Sequence, residues 1–169
     1  MGVKNMRVLA LMLALFLPLP VQGQEVNFDP STIEPCIEQG GWIDCIGLAA
    51  NACMDETDGG HTTLGMVACI AQETAWWDGD LKATYNLILQ RDLEDDSTFV
   101  SDPGMEERPS MADAIREIHS GWPMFRDASC RYEELRWWGG SGARLAGAGC
   151  ILRMTGEQAL RMRSYLAEG

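Results

Sequence analysis

Six cysteines constrain this chain more than any other feature. They stand at Cys36, Cys45, Cys53, Cys69, Cys130 and Cys150. All follow an N-terminal segment with the marks of an export signal, and an even cysteine count in an exported chain points to a disulfide framework. No C-x-x-C occurs, so thioredoxin-like redox chemistry has no support. Six cysteines allow 15 pairings. The simplest set joins neighbours: Cys36 to Cys45, Cys53 to Cys69 and Cys130 to Cys150. The alternative for the first four is Cys36 to Cys53 with Cys45 to Cys69. The last bridge is the best motivated, because a reversal at Gly139-Gly140-Ser141-Gly142 lies between its two cysteines.

The export reading rests on residues 1–23. Lys4 and Arg7 give a positive start, a leucine-rich run spans Val8 to Leu19, and Pro18, Pro20 and Val21-Gln22-Gly23 follow. The pattern is that of a cleavable signal peptide. The apolar run is shorter than the roughly 18 to 20 residues that cross a bilayer. No cysteine stands at the cleavage point for a lipid anchor. The expectation is an exported chain, secreted or periplasmic, that starts near Gln24 and keeps no membrane anchor.

Without Lys4 and Arg7, eleven Lys and Arg face 25 Asp and Glu, a net charge of −14. Phosphate backbones repel such a chain, which argues against nucleic acid as a partner. The charge is uneven. Residues 24–117 carry 20 acidic and four basic side chains, whereas residues 118–169 carry five and seven. Such a surface solubilises the chain, and it also steers a cationic partner toward it. With His61 and His119 as the two histidines, a multi-histidine metal site is excluded, and no cofactor is implied.

Apolar spacing is helical throughout the mature chain, and no segment alternates as a strand does. The expectation is all-α, a small disulfide-stabilised helical bundle. A helix is expected over Trp42 to Met54. A long one should run from Leu64 to Leu93, with Ile70, Trp77, Leu81, Tyr85 and Ile88 on one face. Glu94-Asp95-Asp96 should end it, and a loop should cover residues 97–108. Ser110 can cap a third helix toward Trp137, in which Pro123 should make a kink. A short helix over residues 143–152 and a last one to Leu166, opened by a Thr155-x-x-Gln158 capping box, complete the set.

Catalytic signatures are missing from the sequence. No G-x-S-x-G elbow occurs, and oxidised cysteines supply no nucleophile. The stretch Asp55 to Gly60 resembles a calcium loop, but Met66 stands where the bidentate glutamate belongs. A non-enzymatic role follows. Trp76-Trp77 and Trp137-Trp138 are adjacent pairs whose members point about 100° apart on a helix. Trp77 and Trp122 are expected in the core, and Trp138, beside the glycine turn, is expected to be exposed. The most specific local pattern is Trp122 to Cys130, in which Trp122, Phe125 and Arg126 share a side. Asp127 and Arg131 are spaced for an ion pair.

Those residues carry a resemblance. The array W-x-x-F-R-D-x-x-C (Trp122, Phe125, Arg126, Asp127, Cys130), then Gly139-Gly140-Ser141, Cys150 and Met154-Thr155, resembles the LprI-like lysozyme-inhibitor family. Upstream, Cys69 and Asp78-x-x-Leu81-x-x-x-Tyr85 resemble that family's D-x-x-L-N-x-x-Y, with Lys82 in place of the asparagine. The resemblance implies one domain over residues 24–169, with residues 24–52 as an N-terminal extension and 53–166 as the family core. Cys36 and Cys45 then lie outside the usual four-cysteine set. It implies an exported, helical, disulfide-bonded protein that binds lysozyme or another cationic envelope protein. Glu94, Asp95, Asp96 and Trp138 are the candidate partner surface. The other reading is an envelope module that binds glycan or protein through exposed tryptophans.

Overall fold

The computed structural model of the chain describes residues 25–100 and 109–167. The expected signal peptide lies outside the described residues. Among the described residues there are five α-helices: α1 Ile33–Glu38, α2 Leu48–Glu56, α3 Thr63–Val100, α4 Met111–Leu135 and α5 Ala143–Ala167. A 3-10 turn at Ile43–Cys45 stands between α1 and α2. The fold is a small all-α bundle, without strands among the described residues.

The 38 residues of α3 make a rod of about 57 Å, on which the other helices assemble. Its buried stripe, Ile70, Trp77, Leu81 and Ile88, repeats at seven, four and seven, the spacing of a helix packed along its length on another. The facing stripe on α5 is Leu152, Ala159, Leu160 and Met162, and α4 closes the layer through Ile115. The α3–α5 interface is the most extensive in the molecule. Trp77 is fully buried; Trp122 is only half-buried and packs on the rim of the core.

Each disulfide joins elements adjacent in sequence. Cys36–Cys45 ties α1 to the 3-10 turn, Cys53–Cys69 ties α2 to α3, and Cys130–Cys150 ties α4 to α5 across the glycine turn. With separations of 9, 16 and 20 residues, each stabilises by about 3 kcal/mol in the chain-entropy model.

Several boundaries differ from the sequence expectation, each for a physical reason. The helix expected over Trp42 to Met54 splits, because Gly47 adopts φ 97° and starts α2 afresh. The run Glu94-Asp95-Asp96 does not stop α3, which continues to Val100. Ser97 and Thr98 donate their hydroxyls to the Glu94 carbonyl. Asp96 turns its carboxylate onto the start of α4, accepting from Ser110 Oγ, Met111 N and Ala112 N at 2.7–3.1 Å. Ser110 is the N-cap of α4, its Oγ accepting from Asp113 N at 3.0 Å. Pro123 sits inside α4 without ending it, and the helix stops at Leu135 rather than Trp137. The two C-terminal helices are one: Thr155 is buried in mid-helix, where its hydroxyl meets Arg126 instead of capping. Of the loop expected over residues 97–108, the first four belong to α3 and the rest lie outside the described residues.

Two carboxylates of α3 thus cap other helices. Asp96 serves α4, and Glu73 serves α2. Gly47 at the N-cap of α2 has no side chain to offer, and Glu73 fills the role from across the interface. It accepts from Gly47 N at 2.6 Å and Ala50 N at 2.7 Å, and from Trp77 Nε1 at 2.9 Å. A negative charge at a helix N-terminus also complements the helix dipole.

Candidate functional site

Four of the residues singled out in the sequence converge where α3, α4 and α5 meet. Arg126 Nη1 on α4 donates to Asp78 Oδ1 on α3 and to Thr155 Oγ1 on α5, both at 3.2 Å. Arg126 Nε donates to Asp127 Oδ1 at 2.9 Å. The expected Asp127–Arg131 pair gives way to this one, because Arg126 already lies in the seam between helices. The guanidinium side chain is 16% exposed while its two carboxylate partners are 50% and 62% exposed, so the cation is the buried member. Leu81 and Trp122 lie beneath it, and with Asp78, Lys82, His119 and Pro123 they line a cavity of about 250 Å³. Tyr85 stacks on His119, ring centroids 3.8 Å apart and planes 8° apart. The Trp122 and Phe125 rings are tilted at 6.1 Å, and Phe125 is 61% exposed.

This junction is a clasp. It contains a permanent cation, its carboxylates and aromatic walls, with no nucleophile set beside a base. Its geometry fixes three helices in register. Among the described residues no group of three or more His, Cys, Asp or Glu is placed to hold a metal ion.

The remaining candidates lie elsewhere. Gly140 and Ser141 form the turn between α4 and α5. Trp137 lays its ring on Gly142, where an added Cβ would stand 2.5 Å from Cζ3. Trp138, with φ 49°, points out and is 95% exposed. Of the acidic run, Glu94 is exposed, Asp95 is half-buried, and Asp96 is occupied in capping α4. An exposed apolar band follows α4 through Met124, Phe125, Tyr132 and Leu135 toward Trp138.

The family model described as "Lysozyme inhibitor LprI" matches residues 53–161, well over half of the chain. The chain belongs to the LprI family. Its match runs from Cys53 in the second half of α2 to Arg161 in α5, with the clasp and the disulfides Cys53–Cys69 and Cys130–Cys150. The chain is also similar to an uncharacterized 17.7 kDa protein of the puhA 5' region of Rhodobacter capsulatus. The two are 22% identical over 159 residues, 94% of this chain and 97% of the relative. No solved structure matches it.

Beyond the LprI match lie residues 25–52, with α1, the 3-10 turn and the Cys36–Cys45 bridge. This end of the molecule is strongly acidic. Residues 24–81 contain eleven Asp and Glu and no Lys or Arg. Some of these are engaged: Arg163 of α5 donates to Asp80 at 2.8 Å through Nε and to Glu34 at 2.7 Å through Nη2. The Asp80 hydrogen bond is the main cause that raises the Arg163 pKa above its already high value. Asp29, Glu38, Asp44, Asp55, Glu56 and Asp58 are exposed. From the sequence, the acidic half stands out as a whole, and residues 94–96 stand out within it. The acidic stretch at residues 25–58 escapes that reading, although the absence of any Lys or Arg from residue 24 to residue 81 is a signal for it.

Proposed function

We propose that this protein is an exported, non-enzymatic inhibitor of a cationic cell-wall hydrolase such as lysozyme. The observation that carries the reading is the LprI match across residues 53–161. Three features support it. Three disulfides suit an oxidising compartment outside the cytoplasm. The mature net charge of −14 has the sign that draws in a basic enzyme. No helix among the described residues is long and apolar enough to cross a membrane.

Binding of the mature, oxidised protein to a purified c-type lysozyme, measured by calorimetry at low and high salt, tests this. A complex that weakens with salt is expected. No complex at low salt would overturn it for that enzyme. The 95% exposure of Trp138 favours a second reading, a glycan-binding envelope module. In that case wall-derived sugars, and not lysozyme, would quench tryptophan fluorescence.

A further inference from the structure

We infer that the Cys36–Cys45 loop is the segment that docks on the cationic enzyme, with Trp42 and Ile43 as its apolar contact and Asp44 as its charged one. This rests on the inhibitor reading and names the surface that reading lacks.

Trp42 is 47% exposed and Ile43 51%, so two large apolar side chains stand side by side at the surface. The backbone beneath them is fixed from both sides. On one flank the disulfide closes the loop, and Gly41 lies so close that an added Cβ would meet both sulfurs at 2.5 and 2.7 Å. Gly40 N and Gly41 N donate into α1, to Ile37 O and Cys36 O. On the other flank the buried Glu73 holds Gly47 N, and Ile46 presses its side chain against Gly156 of α5. A loop held this way loses little conformational freedom on binding.

The surroundings choose the partner. Asp44 stands beside the apolar pair, Glu38 is exposed on the adjoining helix, and the Arg163 that α5 brings against α1 is already paired with Glu34 and Asp80. An exposed aromatic with an anionic rim is complementary to a basic protein surface. The apolar band on α4 has no such bias, because Arg116, Arg126, Arg131 and Arg136 alternate along that helix with its acids. The loop lies N-terminal to the segment that the LprI match covers.

The test compares the mature, oxidised wild type with three variants for binding to a c-type lysozyme at low salt. The variants are Trp42→Ala with Ile43→Ser, Asp44→Lys alone, and Trp138→Ala as a control on the α4 side. The double variant should raise Kd about tenfold or more, the range of a truncated interface anchor. Asp44→Lys changes one exposed side chain and should slow association, most strongly at low salt. Trp138→Ala should leave Kd within twofold. Circular dichroism and intact mass confirm folded, three-disulfide protein in each case. If wild type and both loop variants bind alike, or if only Trp138→Ala loses binding, the loop is not the docking segment and the inhibitor reading stands. If wild type itself does not bind, the inhibitor reading fails for that enzyme and the inference fails with it.

Discussion

Replacing Glu73 with alanine should damage this fold severely. The residue is fully buried, and its carboxylate accepts three hydrogen bonds, two from backbone N–H groups at the start of α2 and one from the Trp77 indole. The Ala50 N–H and the Trp77 Nε1–H lie in the interior, and Gly47 N–H is partly covered. A buried donor stripped of its acceptor costs about 1–3 kcal/mol. Two such donors and a partly covered third together give about 3–5 kcal/mol. Glu73→Gln keeps one acceptor oxygen and turns an NH2 toward donors, so it should recover less than half. The assay is equilibrium urea unfolding with the disulfides intact, followed by circular dichroism and by tryptophan fluorescence. A loss below about 1 kcal/mol for Glu73→Ala would refute the reasoning, since it would mean that water or a shifted backbone satisfies all three donors.

Further outcomes follow from the other contacts. Arg126→Ala removes the polar ties from α4 to α3 and α5 and should cost about 1–3 kcal/mol in the same assay, with Arg126→Lys recovering only part because an ammonium cannot span Asp78, Asp127 and Thr155. Trp122→Ala should cost about 2–3 kcal/mol, less than a fully buried tryptophan, because the side chain is half-buried at the rim of the core. Gly156→Ala sets a methyl 2.7 Å from Ile46 Cδ1 and Cγ1 and should destabilise by about 1–3 kcal/mol; Gly149→Ala on the same helix, with open space at that point, should be neutral or slightly stabilising.

Much of this architecture is legible in the sequence because apolar spacing reports directly on burial. Ile70, Trp77, Leu81 and Ile88 announce the long helix, Ser110 announces the start of α4, and Gly139 to Gly142 announce the turn that lets Cys130 reach Cys150. What escapes are the polar residues whose role depends on a partner distant in sequence. Glu73 reads as one more carboxylate in an acidic chain until α2 arrives against it. Asp96 reads as part of a charge run that ends a helix, whereas its carboxylate is the cap of the next one. Thr155 with Gln158 matches a capping box, but a box is a short-range pattern, and the hydroxyl is claimed by Arg126 from another helix. The seam of Asp78, Arg126 and Thr155 was visible as three separate motif positions. Their convergence required the fold.

The central claim is that an acidic, disulfide-pinned LprI protein restrains a cationic wall hydrolase through direct, charge-steered contact. The measurement that tests it most directly is the clearing rate of a suspension of bacterial cell walls by c-type lysozyme, with mature oxidised protein titrated in at rising ionic strength. At low salt the clearing should slow in proportion to the protein added. Protection should fade as salt approaches 1 M, where the screening length is about 3 Å. Undiminished clearing at low salt with excess folded, disulfide-intact protein would contradict the account for that enzyme.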